Sequence, residues 1–287
     1  MGSLFYRHVV ISPIRDEGHF LPALIESIEG QSIPPMEWII VDDFSEDKSV
    51  EIIEEAMKSR PWITLIRNQE DGIRERGARI ATLFNKGIEA SQEGWDFISK
   101  IDGDMLLPQG YFEEIFAEFT IDEGLGIASG NCLIPRTKKV EKVEENHTRG
   151  GLKTYRRECF EHIGGVSEID GWDGIDNSMA QKNGWKTRNF PRILVEHRRA
   201  TGSYDGFLNR NFNSGKKSHI MGYRWDYLVA KSLHGMKKWP FFFGGFMIFI
   251  GFFWSKISGV PQLSDRDLIL FIRETQKERI RRFFTRK

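Results

Sequence analysis

Short apolar runs alternate with amphipathic stretches along the first hundred residues. The runs Tyr6–Ser12 (YRHVVIS), Trp38–Val41 (WIIV), Thr64–Arg67 (TLIR) and Phe97–Ile101 (FISKI) read as buried strands. Between them, Phe20–Glu29 and Ser49–Ser59 carry apolar residues three and four apart, the period of a helix with one buried face. Strand, helix and strand repeated in this way predict an α/β fold whose mainly parallel central sheet is covered on both faces, a three-layer sandwich. In such sheets ligands bind beyond the carboxyl ends of the strands. That rule collects Pro13 to Glu17, Asp42 with Asp43, Arg67 to Arg79, and Asp102 with Asp104 on one rim.

Each of these loops has chemistry suited to a nucleotide. Pro13, Arg15 and Glu17 follow the first strand. Asp42 and Asp43 follow the second, where a carboxylate can accept hydrogen bonds from a ribose hydroxyl or a base imide. Asp43, Ser45 or Asp47 could instead cap the next helix, although two adjacent acids at a buried strand end are harder to explain that way. The segment Gly72–Arg79 places Arg74, Arg76 and Arg79 near the rim, where guanidinium groups could pair with phosphate oxygens; the same spacing also fits a solvated helix face. Asp102-Gly103-Asp104 suits a divalent metal carrying phosphate, although an isolated Asp-x-Asp is also ordinary turn chemistry. Neither a strand-adjacent Gly-x-Gly-x-x-Gly nor a Gly-Lys-Ser/Thr loop is present, which argues against dinucleotide enzymes and P-loop NTPases.

Composition narrows the field only a little. At 287 residues the chain makes one large or two ordinary domains. The 41 basic and 41 acidic residues balance, so no global field argues for a nucleic-acid partner. Cys132 and Cys159 form no zinc spacing and follow no secretory leader, and they read as reduced thiols in a cytosolic compartment.

Taken in order, Ser12-Pro13-Ile14-Arg15-Asp16-Glu17, then Trp38-Ile39-Ile40-Val41-Asp42-Asp43-Phe44-Ser45-Glu46-Asp47, then Lys100-Ile101-Asp102-Gly103-Asp104 resemble the family-two glycosyltransferases of GT-A (Rossmann-like) fold. The resemblance covers about the first 200 residues. It implies that Pro13 and Asp42 or Asp43 line a nucleotide pocket. It also implies that Asp104 with Asp102 binds Mn²⁺ or Mg²⁺ holding the diphosphate of a sugar nucleotide, Asp104 as the favoured direct ligand and Asp102 alternatively reaching the ribose or a metal-bound water, with Arg15, Glu17, Arg76, Arg79 and Lys100 as further donor-binding candidates. Phe44 departs from the family, which usually has Gly there.

The stretch from Gly150 through Gly165 to Asn177 resembles the acceptor region of that family. The usual Glu-Asp-x-Asp is here Asp173-Gly174-Ile175-Asp176, so Asp173 and Asp176 are both candidates for the catalytic base. Asp173 is favoured because it sits beside Trp172 and between glycines, whereas Asp176 also reads as a helix cap. His197 closes the apolar run Arg192–Glu196, and the resemblance makes it a candidate third metal ligand. Arg198–Ser203 could then close over the diphosphate as a basic loop. The implied mechanism is a single displacement with inversion, in which a carboxylate base activates the acceptor hydroxyl. The alternating charges of the loop from Arg136 to Gly151, including Lys138, Lys139, Glu141, Lys142, Glu144 and Glu145, suggest mobility.

The last fifty residues differ in character. Trp239–Trp254 is an uncharged run of 16 residues, short of the roughly 20 that a spanning helix needs. Tryptophan at both ends and the flanking Lys237, Lys238 and Lys256 suit an interfacial or re-entrant segment; a buried helix or a subunit contact is the alternative. Asp265–Lys287 reads as a basic amphipathic helix suited to an anionic leaflet. The expected organisation is a catalytic domain over 1–235 and a membrane-associated helical region over 236–287. The expected protein is a transferase at the cytoplasmic inner face of the cell membrane. It would move a sugar from a uridine or guanosine diphosphate donor to a glycan or lipid-linked acceptor, in cell-surface polysaccharide or glycolipid synthesis. A nucleotidyltransferase acting on a sugar phosphate and a non-catalytic, membrane-tethered nucleotide-sugar-binding module are the other readings.

Overall fold

The computed structural model describes residues 6–68, 76–135, 138–141, 143–199, 206–236 and 241–285. It divides into two compact units, Met1–Ala200 and Thr201–Lys287.

The first unit begins with strands and helices in alternation: β1 (His8–Ile14), α1 (Leu21–Glu29), β2 (Glu37–Asp42), α2 (Ser49–Met57), β3 (Ile63–Arg67), α3 (Arg76–Ala90) and β4 (Phe97–Lys100). These strands lie in the parallel order β3-β2-β1-β4. Every residue of β1 and β2 is buried, because both faces of this part of the sheet are covered. Alternation along each strand divides the side chains between two cores. Val10, Ile14, Trp38 and Ile40 enter one core, while Val9, Ile11, Ile39 and Val41 enter the other. This is the three-layer arrangement that the strand and helix alternation predicts.

The remainder of the unit is mixed rather than mainly parallel. It comprises β5 (Met105–Leu106), α4 (Tyr111–Ile121), β6 (Leu125–Ile134), β7 (Lys139–Val140), β8 (Thr154–Arg156), α5 (Arg157–His162), α6 (Trp172–Lys182) and β9 (Lys186–His197). The sheet continues from β4 as β8-β6-β9-β5, with β7 on β6. β8 is antiparallel to both β4 and β6, and β5 is antiparallel to β9, whereas β6 and β9 are parallel. The short strands β5, β7 and β8, of two or three residues, carry no readable periodicity, so their antiparallel pairings are not legible in the hydrophobic pattern, whereas the apolar run Arg192–Glu196 lies in β9. The β6–β9 ladder shifts register between Ser129 and Asn131, opposite the stretch of β9 that contains Pro191. A proline cannot donate to a ladder, so a bulge is where it can be tolerated. Gly130 occupies the facing position, where a Cβ would come within 2.8 Å of the Ile193 carbonyl oxygen.

The second unit is helical: α7 (Gly206–Ile220), α8 (Trp225–Met236), α9 (Phe243–Ile257) and α10 (Arg266–Thr285). Backbones approach closely through glycines. A Cβ at Gly215 would lie 2.1 Å from the Ile248 carbonyl oxygen, one at Gly251 2.0 Å from that of Phe212, and one at Gly245 2.1 Å from that of Ser232. Helix α9 contains most of the Phe-rich run, yet no described helix is long and apolar enough to cross a membrane.

His8, in β1, is fully buried against the rings of Phe112 and Phe116, and its Nε2 lies 2.8 Å from Ser99 Oγ. Burial pushes its pKa from 6.5 down to about 3. The unfolded chain therefore takes up a proton on His8 well before the folded chain does. Its contribution to stability is complete above about pH 6.5 and is lost as the pH falls toward 3, by up to about 1.4 kcal/mol per pH unit. Denaturant titrations between pH 7 and 5 are expected to show this slope, and His8→Leu is expected to flatten it.

Candidate active site

The parallel pairing aligns three strand ends. Ile14 lies beside Asp42 and Ile11 beside Lys100, so the chain leaves β1, β2 and β4 at the same edge. Pro13 is a buried member of β1 next to Val41, and Arg15 follows it, half-buried, 4.0 Å from the Asp16 carboxylate. Asp42 is 1 % exposed: one carboxylate oxygen accepts from the Ser45 N–H at 3.3 Å, and Oδ1 has no hydrogen-bond partner among the described residues. A buried acceptor left open in this way suits a donor group on a ligand. Asp43 is occupied differently. Its Oδ1 accepts from Arg79 Nε and Nη2 at 3.0 and 2.6 Å and from Asn68 Nδ2 at 3.2 Å. Arg79, a candidate for phosphate contact, is thus ion-paired to Asp43. Arg76 opens α3, and Arg74 lies outside the described residues.

Neither Asp43 nor Ser45 caps α2. Asp47 accepts from the Ser49 N–H and from the Gly18 N–H, each at 2.9 Å, while Ser45 Oγ accepts from the Asp16 N–H at 2.9 Å. These bonds tie the loop after β1 to the loop after β2. Phe44 has φ 60°, in the left-handed region that glycine enters freely and that costs another residue about 1–2 kcal/mol. The position where the resembled family has Gly therefore keeps that backbone conformation.

Asp104 and His197 are brought together by the antiparallel pairing of β5 and β9, in which Met105 faces His197. Asp104 is 8 % exposed, and its Oδ2 lies 3.4 Å from His197 Nε2. On the other side of the ring, Nδ1 is 3.7 Å from Glu141 Oε1, and Glu141 Oε2 is 2.5 Å from Arg149 Nη1. Ligand atoms of Cys132, Glu141 and His197 all fall within 4.8 Å of one another. Burial pulls the His197 pKa down, but the facing Asp104 and Glu141 carboxylates outweigh it and raise it to about 9. Asp102 turns instead to Lys100, with which it forms an ion pair, while its N–H donates to the Gly151 carbonyl at 3.1 Å.

Glu17 receives both terminal nitrogens of Arg199, at 2.9 and 2.8 Å, and that guanidinium stacks 4.9 Å from the Phe20 ring centre. Burial and the neighbouring Asp104 and Asp102 carboxylates push Glu17 up to about 7, against the opposing pull of Arg199. Of the expected basic loop, Arg198 and Arg199 are described, and 200–203 lies outside the described residues.

The second candidate carboxylate pair is held by helix α6. Asp176 is not its cap; that position is Gly171, at φ 93°. Asp176 is buried in the second turn, where Lys153 Nζ reaches its oxygens at 2.5 and 2.6 Å and the Tyr155 hydroxyl donates at 2.5 Å. Lys153, itself 0 % exposed, also donates to the Asp173 carbonyl at 2.6 Å and sits 5.2 Å from the Trp172 ring centre. Burial moves both members of the pair toward neutrality, raising Asp176 and lowering Lys153 against their mutual attraction. Asp173 lies in the first turn of α6, half-buried, with its Cβ 3.4 Å from where a Cβ on Gly150 would stand. Carboxylates are favoured there by the positive end of the helix dipole.

Sequence reasoning missed Glu141, Arg149, Cys132, Lys153 and Tyr155. The charged loop expected to be mobile contributes β7, and Glu141 follows it with its N–H bonded to the Cys132 carbonyl at 2.9 Å. No local pattern distinguishes Glu141 from the other charges of that loop.

The parallel strand ends collect carboxylates, and the mixed half of the sheet brings a histidine to them. The chain belongs to glycosyl transferase family 2, whose model matches residues 9–168. A search of curated proteins finds no match. Among solved structures, a mannosyltransferase, PcManGT, from Pyrobaculum calidifontis in complex with GDP-Man and Mn²⁺ is similar with a TM-score of 0.60 and 16 % identity, covering 93 % of this chain and 79 % of that one. S. aureus TarS 1–349 is similar with a TM-score of 0.57 and 13 % identity, over 88 % of this chain and 72 % of that one. GalNAc-T7 with UDP, GalNAc and Mn²⁺ gives a TM-score of 0.60 and 14 % identity over 81 % of this chain and 51 % of that one. At these identities the likeness establishes the GT-A fold.

Removing one member of the buried pair leaves the other desolvated without its partner. Lys153→Ala is therefore expected to lower stability by about 3–5 kcal/mol, and Lys153→Met combined with Asp176→Leu to recover most of the loss. Thermal unfolding of the single and double variants checks this.

Proposed function

We propose that the protein is an inverting, metal-dependent glycosyltransferase that moves a hexose from a uridine or guanosine diphosphate sugar to a glycan or lipid-linked acceptor. We place it at the inner face of the cell membrane, in cell-surface polysaccharide or glycolipid synthesis. The observation that carries the reading is the pairing of Asp104 with His197 at the rim of the parallel strands. The donor set suits Mn²⁺ or Mg²⁺. Oxygen and imidazole ligands converge there, and the carboxylates facing His197 hold a proton on it up to about pH 9, a demand for positive charge that a divalent ion meets. Asp104 and His197 would hold the ion, with Asp102 near it and Glu141 orienting the imidazole from the far side. The solved structures with Mn²⁺ and GDP-Man, or Mn²⁺ and UDP, support the same assignment.

When bound, the metal supplies electrostatic stabilisation to the departing diphosphate. The remaining work falls to side chains of this chain. The open oxygen of Asp42 accepts a hydrogen bond from the nucleoside, with Pro13, Lys100 and the Asp43–Arg79 pair shaping the floor of the pocket and Arg15 on its basic side. Glu17 anchors Arg199, which keeps the start of the basic loop over the donor side of the cleft. Asp173 takes the proton from the acceptor hydroxyl as its oxygen bonds to the anomeric carbon. The bond to the diphosphate breaks on the opposite face, so the configuration inverts. Asp173 is the better base because it is half-buried rather than sealed, whereas Asp176 is committed to Lys153 and Tyr155.

Asp104→Ala is expected to abolish Mn²⁺-dependent hydrolysis across a panel of nucleotide sugars; unchanged turnover would refute the metal assignment. Asp173→Asn is expected to lower the rate of transfer to acceptor by about 10²–10⁴-fold while the donor still raises the melting temperature in the presence of Mn²⁺. Equal loss of both signals would remove Asp173 from the role of base.

A further inference from the structure

We infer that the C-terminal unit carries a site for the phosphate headgroup of an anionic phospholipid at a bilayer surface, formed by Lys256, Arg273 and Arg224 beside the aromatic stripe of α9. The inference deepens the membrane-surface part of the reading above.

The two faces of α9 are chemically opposed. At about 100° per residue, Gly244, Gly245, Ile248, Gly251 and Ser255 project to one side, and all are buried. Phe243, Phe246, Phe253, Trp254 and Ile257 project to the other within an arc of about 100°, and they are exposed by 60, 58, 48, 61 and 82 %. Phe241 and Phe242, just before the helix, are also exposed. A soluble surface rarely keeps so many large apolar side chains together unless they meet an apolar partner. At 15 residues α9 is about 22 Å long. That is too short to cross a hydrocarbon core of about 30 Å, so a helix of this kind lies in the interface.

Next to this stripe is a pocket of about 630 Å³, lined by Arg224, Trp225, Phe253, Lys256, Gln262 and Arg273. Phe253 belongs to both the stripe and the pocket wall. Lys256, exposed on the flank of α9, makes no ion pair among the described residues. Arg273 donates its Nε to the Gly222 carbonyl at 2.7 Å, and its terminal nitrogens have no hydrogen bond among the described residues. Arg224 is held by Asp226 through Nε and Nη2, at 3.0 and 2.7 Å, and Glu274 is the other carboxylate that acts on it. His219 also lines the pocket, buried, with Nε2 2.9 Å from the Val260 carbonyl and Nδ1 without a hydrogen-bond partner among the described residues. Cationic groups with unused donors around a cavity suit a phosphate. Their place beside an aromatic stripe selects a lipid phosphate, because one molecule can then meet the cations with its headgroup while its neighbours' acyl chains cover the rings.

The test is co-sedimentation of the full chain with vesicles, with neither nucleotide sugar nor acceptor present, so that a failed donor assignment leaves it unaffected. The protein is expected to bind vesicles of phosphatidylcholine mixed with phosphatidylglycerol more tightly than phosphatidylcholine alone. Lys256→Glu is expected to weaken the mixed-vesicle binding by about tenfold or more and to leave the residual binding to phosphatidylcholine unchanged. Phe246→Ser combined with Phe253→Ser is expected to weaken both. Melting temperatures confirm folding, and Arg273→Gln serves as the second cation variant. Binding of Lys256→Glu and Arg273→Gln to mixed vesicles at the parent level would overturn the inference. So would complete release of the parent by inorganic phosphate at equal phosphate concentration, which would mark a site for the free anion. A dimer that the Phe246→Ser, Phe253→Ser variant converts to monomer without any change in vesicle binding would assign the stripe to a second copy and overturn it as well.

Discussion

The buried ion pair between Lys153 and Asp176 is the constraint on which the candidate site depends. Removing two charges from water costs several kcal/mol per ion, so such a pair persists only when its remaining hydrogen-bonding capacity is met. Here it is met fully: the ammonium reaches both Asp176 oxygens and the Asp173 carbonyl, and the carboxylate also accepts from Tyr155 and from the N–H of Asn177. The pair locks α6 onto β8. On its other edge β8 continues the ladder from β4, and the stretch just before it meets the first acid of the Asp-Gly-Asp triplet, through the bonds from Lys100 N–H to the Lys153 carbonyl and from Asp102 N–H to that of Gly151. One desolvated interaction thereby fixes where Asp173 stands relative to the strand rim.

The rim itself is a problem in charge compensation. Asp43 is answered by Arg79, Asp102 by Lys100, Glu141 by Arg149 and Glu17 by Arg199. Among the described residues the ion-pair partner of Asp104 is His197 rather than a lysine or arginine, and Asp42 keeps an oxygen open. Internal pairs hold the loops in place, and the two acids left over are those with capacity for something from outside. Arginines read from sequence as phosphate ligands are therefore, in the case of Arg79, part of the frame.

The C-terminal unit solves a different problem with its composition. Glycines on the inner side of α9 bring helix backbones into contact, with Ile248 and Phe252 packed among them, while Phe243, Phe246 and Phe253 face outward. A stretch that reads as uniformly apolar is in the folded chain two-sided.

The sequence by itself determined the parallel half of the sheet, from β1 to β4, because buried strands of four or more residues alternating with amphipathic helices leave a pattern in one dimension. It also placed Asp42, Asp43, Asp102 and Asp104 at one edge, since strand ends follow from strand identity. Only the tertiary structure decided which acids are spent on internal pairs. It alone brought Glu141 to His197, sealed Asp176 against Lys153 and Tyr155 while leaving Asp173 half-buried, and revealed Lys153 as its buried partner. Those outcomes rest on contacts between segments tens of residues apart, through strands as short as β5 and β8. Burial and pairing, which set the charge of each group, are properties of that packing and not of the order of residues.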